Sequence, residues 1–491
     1  MNIWEIGIDR LQCTSLQLIY GQELVQRVGG ATFDAYAHGY WSMAQDEASP
    51  TCIFKPEDAE SIAVLVLISR LTHCPMAVKS GGHASFPGAS SISSGINLVL
   101  ESLNEVTVSA DRKVASIGPG NKWKHVYEVL EQQDLAVIGG RVADVGVGGL
   151  TLGGGLFFLS NQYGWACDNV HSYEKQVVTA SGEIVTASPS ENEDLYFALR
   201  GGGNNFGIVT KFNLNTIDLP GGILWGGSRT HSEDTFPAII NAFTEMARNS
   251  ETDPKAGQWL TWTIFNGSKV AVAELHYHDV DVSNAKIFSN HTAINAVWEN
   301  TEPRKLSEYT MYIDGYNPYG FRRFFYVMSH KNDPVLNSVG KDIFFEEFAD
   351  LDPSIEAFMT YQSITTSQLK HMTKNGGNPL GISSEDGALT LPMINTKWTN
   401  AADDEAIYRA ASNTFIRLKA KAVELGLNTD YLYMNYASQY QDVVSSYGEA
   451  NKRRLKTIAA KYDPAAVFQT LMPGYFKLDH GPVQGADFFN F

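Results

Sequence analysis

The sequence predicts an α+β protein built from two unequal units, and three observations carry that reading. Short alternating runs interleave with helical stretches up to about residue 220, glycine crowds into the same part of the chain, and longer alternating segments flanked by helices follow Pro220-Gly221-Gly222. The chain has 491 residues, enough for more than one packed unit. Its 44% apolar and 19% charged residues are the balance of a globular chain with a large core.

Taken in order, 52–54 is a short extended run, and Pro56 opens a helix whose first turn holds Glu57, Asp58 and Glu60 and which ends near Leu71. Residues 76–78 form the next strand, giving a β-α-β unit that runs straight into Lys79-Ser80-Gly81-Gly82-His83. Alternation resumes with Val106 and Val108 facing Val114 and Ser116, and again over 174–188 across Ser181-Gly182, so both stretches read as hairpins. Helices are expected at 122–132 and at 192–199, the second capped by Asn192. In the later unit, 258–265 and 269–277 alternate like antiparallel strands joined by an Asn266-Gly267 turn. Helical patterns lie near 235–248 and 401–426, and a last helix at 448–462 is stopped by Asp463-Pro464.

Charge and composition exclude several classes of function. A net charge of −17 argues against nucleic-acid or anionic-membrane partners, which draw on surplus Lys and Arg. The apolar run from Ile62 to Ile68 is too short to span a bilayer. The start, MNIWEIGIDRLQC, places Glu5 and Asp9 where an export signal needs basic and then apolar residues. The expectation is a cytoplasmic protein, with a secreted mature form left open, and the sequons at Asn266 and Asn290 read as chance. Cys13, Cys52, Cys74 and Cys167 show no CxxC spacing and are too few for a disulfide framework; they suit a reducing compartment or say nothing. His276-Tyr277-His278-Asp279 lacks a third partner at short spacing, so it reads as a solvent-facing strand and no metal site is expected. Arg322-Arg323 reads as a local salt bridge or a contact to the first unit.

Glycine is the informative residue. Of 43 glycines, 20 lie between Gly81 and Gly207. An even spread would put about 11 there. Four clusters stand out: 81–82, 146–149, 153–155 and 201–203. Runs of this kind let backbone N–H groups approach a ligand and form a nest for phosphate, so a nucleotide cofactor is the natural occupant. Neither the P-loop pattern nor the G-x-G-x-x-G dinucleotide pattern is present.

The segments KSGGHAS (79–85), GGRVADVGVGGLTLGGG (139–155), YGWACDNV (163–170), DLYFALRGGGNNFGIVTKF (194–212) and the stretch 435–468 beginning NYASQY resemble the berberine bridge enzyme-like FAD-linked oxidases of the vanillyl-alcohol oxidase superfamily. YWS (40–42) and NGGNPLG (375–381) are most similar to its fungal, secondary-metabolism branch. The resemblance runs over nearly the whole chain. It implies a two-subdomain, PCMH-type FAD-binding domain over 1–220, a substrate domain with an antiparallel sheet flanked by helices over 221–439, and a C-terminal segment, 440–491, that returns to the FAD-binding domain.

It also implies roles for residues. Lys79, Ser80, Gly81, Gly82, His83, Ala84 and Ser85 would wrap the FAD pyrophosphate with backbone N–H groups, and His83 would carry the flavin covalently. Val142, Val145, Gly146, Gly148, Gly149, Leu152, Gly153, Gly154 and Gly155 would pass beside the isoalloxazine and phosphates. Asn169, Gly207, Ile208 and Val209 would line the cofactor further along. Asn435-Tyr436 would set an aromatic ring against the flavin, with Tyr436 catalytic, substrate-orienting or simply packed there. Doubly attached relatives carry a cysteine where Val142 stands, so single attachment through His83 is expected. Val145, in place of leucine, favours access of O2 to the flavin and hence an oxidase that releases H2O2. A neutral imidazole in a glycine loop is a competent nucleophile near pH 7. The expected reaction is hydride transfer from a small secondary metabolite to FAD, possible cyclisation included. An oligosaccharide or alcohol oxidase of the same family, or a non-redox FAD-scaffolded cyclase or binding protein, stays open. Oligomeric state is not legible.

Overall fold

A computed structural model of the chain describes residues 3–483. Its first sheet has four strands in the spatial order Val25–Arg27, Cys52–Phe54, Ile96–Val99, Met76–Lys79. The last three run parallel. The expected β-α-β unit is therefore split, because Ile96–Val99, not recognised in the sequence, lies between its two strands. All four residues of that strand are buried, so it lacks the alternation that marks a half-exposed strand. The crossover helix is Ala59–Thr72, and its cap is Asp58, whose carboxylate accepts from the Ser61 N–H at 2.7 Å. Pro56 thus precedes the helix instead of opening it. At the far end His73 takes a left-handed turn, φ 56°, before Met76–Lys79.

A second, seven-stranded sheet is centred on Phe212–Asp218. Val106 faces Ile117 and Val108 faces Ala115, one residue off the expected register. The offset comes from the turn, where Ser109 Oγ and Asp111 take up backbone N–H groups and lengthen the connection. The 174–188 hairpin forms across Ser181-Gly182 as expected, with Val178 opposite Ile184.

The third sheet has nine strands, all of its pairings antiparallel. Ala256–Phe265 and Ser268–Tyr277 form its central hairpin, and Asn266 (φ 50°) and Gly267 (φ 77°) supply the two left-handed residues of a type I′ turn. Helices Phe236–Arg248, Pro334–Glu347 and Asp404–Glu424 bury Phe243, Phe344 and Phe415 against Leu260, Trp262 and Tyr361 of one sheet face. The opposite face is polar. Ser228, Glu274, Trp259 and Gln362 stand in one cross-strand row there, since Ser228 pairs with Glu274, Glu274 with Trp259, and Trp259 with Gln362. The strand carrying His276 is not solvent-facing, as the sequence suggested. Phe158 from the glycine-rich half covers it, 5.3 Å from the His276 ring, and His276 is buried.

Cys13 and Cys52 form a disulfide closing 39 residues and tying the first helix to the first sheet, a pairing that the reading of the four cysteines did not expect. The partners are far apart in sequence, so no spacing rule could expose them. Cys74 and Cys167 are buried free thiols. No described helix is long and apolar enough to cross a membrane.

Candidate functional site

The strand Met76–Lys79 leads directly into the first glycine loop. Lys79 turns away from that loop: its ammonium donates to the Tyr36 and Gly39 carbonyls and sits 3.7 Å from the Tyr40 ring centre. Burial brings its pKa down to about 8. Ser80 Oγ donates to the Pro119 carbonyl and accepts from the Gly148 N–H, joining the two glycine loops. They meet backbone to backbone at Gly81 and Gly146. A Cβ on Gly81 would lie 2.4 Å from Gly146 N, and one on Gly146 would lie 2.3 Å from Gly81 N. Gly82 takes φ 67°.

The carbonyls of this loop face the 41–45 segment: Gly82 O accepts from Trp41 N–H, Ala84 O from Gln45 and Ser85 O from Ser42. Among the described residues, the amides of Gly81, Gly82, Ala84 and Ser85 donate to no protein acceptor. Carbonyls tied back and amides left over are what an anionic ligand needs.

His83 stacks on Trp41 with ring centres 4.1 Å apart and planes 13° from parallel, and the buried Arg323 guanidinium lies 4.5 Å from the same indole. Burial, helped by the field of Arg323, lowers the His83 pKa to about 3. The imidazole is therefore neutral at any physiological pH. Its Nε2 is shielded from solvent and has no hydrogen-bond partner. From Trp41 an aromatic contact continues to Phe325 (5.5 Å) and on to Tyr436 (6.0 Å).

The second loop divides in two. Val142 and Val145 are partly exposed, and Gly149 is exposed, with nothing within 4 Å of the point where a Cβ would stand. Gly153, Gly154 and Gly155 instead make room for protein. Asn435 Oδ1 would sit 2.1 Å from a Gly153 Cβ, Tyr433 and Trp165 close on Gly154, and the Gly155 N–H donates to the Tyr433 hydroxyl. Leu152 O accepts from Gly203 N–H, which pins the third cluster to the second. Asn169 donates to the carbonyls of Tyr163 and Trp165 and so shapes its own loop. Gly207 fits under Val177, and Ile208–Val209 pairs with Val177–Val178 inside the second sheet. Asn435 Nδ2 donates to Leu150 O.

Sequence reasoning passed over Arg141. Its Nη2 donates to the Tyr436 hydroxyl at 2.8 Å, its Nη1 donates to Gln362 Oε1 at 2.9 Å, and its plane lies 4.6 Å from the Trp259 ring centre. It joins the glycine loop, the polar row of the third sheet and the Asn435-Tyr436 segment. It is one of only two charged residues in 139–155, a cue the sequence did contain. Glu274, next in the row, is buried; burial raises its pKa to about 7, and Tyr309 and Ser228 donate hydroxyls to it. Ser228 and Tyr312 hydroxyls share a hydrogen bond at 2.9 Å, as do those of Tyr312 and the exposed Tyr316. His276 is held neutral by burial, with a pKa of about 3. Arg322 pairs with Asp404 and Glu47, as the local salt bridge expected of it. No cluster of three or more His, Cys, Asp or Glu that could hold a metal ion occurs among the described residues.

These features fit a flavin dinucleotide: unpaired loop amides for its phosphates, open space over Gly149, and an orphaned neutral imidazole at the loop end. Comparison with known proteins agrees. Residues 50–188 match the model of an FAD binding domain. The chain is 32% identical to the FAD-dependent monooxygenase tpcD of Cochliobolus heterostrophus, over 90% of this chain and 87% of that protein. In fold it is similar to BBE-like 1 of Physcomitrella patens (TM-score 0.78, 19% identity, 95% and 99% of the two chains). It is also similar to the xylooligosaccharide oxidase of Myceliophthora thermophila (TM-score 0.77, 20% identity, 97% and 100%).

Proposed function

Because this chain belongs to the berberine bridge enzyme-like, FAD-linked oxidoreductases, on the side of its fungal FAD-dependent relatives, we propose that it oxidises a small secondary metabolite with FAD bound through a single covalent link to His83. The observation that carries this reading is the His83 imidazole: neutral, braced by Trp41, and left without a partner at Nε2 beside unpaired loop amides. In this reading 1–220 and 440–491 hold the cofactor and 221–439 the substrate.

Bound FAD would supply two-electron redox chemistry. The protein would do the rest. Gly81, Gly82, Ala84 and Ser85 would present N–H groups to the pyrophosphate, and Gly149 leaves space that a side chain would fill. Val142 offers no thiol for a second link. Tyr436 and Arg141 orient the substrate oxygen, and the hydroxyls of Ser228, Tyr312 and Tyr316 connect the Glu274 carboxyl toward solvent for proton exchange. Val145 leaves a small side chain at the place the family associates with oxygen access, supporting O2 as the re-oxidant. The Cys13–Cys52 disulfide favours a compartment oxidising enough to keep it, against the cytoplasmic expectation.

The names of the fungal relatives favour a second reading, a monooxygenase that puts an oxygen atom into its product. Turnover under labelled O2 separates the two. One H2O2 per substrate with no label in the product supports the oxidase; label in the product with substoichiometric H2O2 supports the monooxygenase.

A further inference from the structure

Three arginines are buried among the described residues, and one of them is poorly matched. Arg200 donates to the carbonyls of Lys374, Asn375 and Gly377, and Arg229 pairs with Glu299 and donates to the Ile294 carbonyl. Arg323 has a single acceptor, the Pro318 carbonyl, and no carboxylate pairs with it among the described residues. Glu356, whose field reaches it, is held by Lys397 at 2.9 Å. Burial brings the Arg323 pKa down to about 10, so the guanidinium is still charged at neutral pH. A buried cation with so little to pair with is costly. Its other neighbours are aromatic: it lies 4.5 Å from the Trp41 ring centre and 5.5 Å from that of Phe321.

Trp41 is held from the same side by backbone. Its indole N–H donates to the Asn317 carbonyl at 2.9 Å, and the Met43 N–H donates to the Phe321 carbonyl at 2.9 Å. Both acceptors lie in the stretch that leads into the strand Arg322–Val327 of the third sheet. Residues 317–323 thus grip the 41–43 segment with two carbonyls and the Arg323 side chain. That segment grips the His83 loop in turn, through Trp41 N–H on Gly82 O, Ser42 on Ser85 O, and the 4.1 Å stack of indole on imidazole. Direct contacts therefore run from the third sheet through Arg323 and Trp41 to His83. A guanidinium suits this place because it is planar and weakly hydrated and can lie against a ring, which an ammonium cannot do.

We propose that Arg323 is a positioning residue for the link between His83 and the flavin, acting through Trp41, so that attachment of the cofactor depends on the third sheet being docked on the 41–43 segment. This rests on the reading of His83 as the attachment point. The bond that forms joins a His83 ring nitrogen to a methyl carbon of the flavin. The N–H and one C–H hydrogen leave with two electrons, first to the flavin and then to O2, which becomes H2O2. Arg323 acts on the indole and not on the reacting atoms. Its part is to keep the imidazole at the angle from which its nitrogen meets that carbon, since a misplacement of about 1 Å can cost on the order of 100-fold in rate.

The test follows covalent flavin uptake by the full chain, made under riboflavin limitation and then given FAD, with acid-precipitable flavin as the readout. Arg323→Met should slow attachment at least about tenfold. FAD affinity, measured with and without Arg323→Met on the His83→Ala background, should change by less than about twofold. Arg323→Lys keeps the charge without the plane and should stay slow. Because Arg323 works through Trp41, adding Arg323→Met to Trp41→Ala should slow attachment no further, a coupling that two independent losses of structure would not show. Melting temperature reports whether each variant is folded, and Arg323→Gln takes the place of Arg323→Met if that variant is not. Attachment at the parental rate in Arg323→Met or Arg323→Lys, additive slowing in the double variant, or FAD affinity that falls in step with attachment overturns the proposal. Failure of the His83 reading looks different: the parent protein itself carries no flavin on His83, whatever residue stands at position 323.

Discussion

A pair of glycine substitutions separates a cofactor loop from a merely tight turn. In Gly81→Ala the new methyl would stand 2.4 Å from Gly146 N, where ordinary contact begins at 3.4 Å, so the two loops must part by about 1 Å. Both contacting groups are backbone and cannot rotate away. The expected cost is about 1 to 3 kcal/mol or more of stability, with FAD binding weakened in parallel. Gly149→Ala has the opposite local effect. Gly149 lies in the helix Val147–Leu152 with no atom within 4 Å of the added Cβ, so alanine should stabilise the FAD-free protein by up to about 1 kcal/mol through helix propensity. If FAD occupies the open space, the same methyl should weaken its binding roughly 5- to 150-fold, the equivalent of about 1 to 3 kcal/mol of overpacking. The assay is flavin fluorescence quenching on a His83→Ala background, where FAD exchanges freely, beside thermal unfolding without FAD. A Gly149→Ala protein that is more stable and binds FAD as tightly as its parent would refute the cradle.

Removing the indole behind His83 with Trp41→Ala should slow formation of the covalent flavin link about 10- to 100-fold, because the ring loses the 4.1 Å stack that orients it; the fraction of flavin retained after acid precipitation reports this. Glu274 has a pKa raised from 4.5 to about 7, so its folded form binds more protons than its unfolded form over that range. Stability tied to it is fully present below 4.5 and is lost as pH rises through about 7, a change of about 3 kcal/mol. Glu274→Gln should therefore melt near the parent at about pH 5 and above it at about pH 8, and a gap independent of pH would contradict the assignment. Cys13→Ser opens a 39-residue loop and should lower stability by about 4 kcal/mol on loop-closure entropy, a difference that reductant erases.

Local chemistry was legible and long-range juxtaposition was not. Asn266-Gly267 announces its hairpin because two left-handed residues in succession have few other uses, and Asp58 marks a helix start within two residues of the expectation. The glycine loops and His83 stand out by composition. What each glycine makes room for did not: Gly146 accommodates another loop's backbone, whereas Gly153 accommodates the side chain of Asn435, from a segment 282 positions later. Ser228, Glu274, Trp259 and Gln362 come from four strands and become one row only through sheet register. Arg141 draws its meaning from Gln362 and Tyr436, and Trp41 from His83 and Arg323, partners that no periodicity connects.

The central claim is that FAD lies along the Gly81–Ser85 loop and is held by His83. Mass measurement of the purified, denatured protein, followed by peptide mapping, tests it most directly. One FAD per chain on the peptide containing His83, absent from His83→Ala, is the predicted result. An unmodified mass, with all flavin free in the acid supernatant or none present at all, would contradict it.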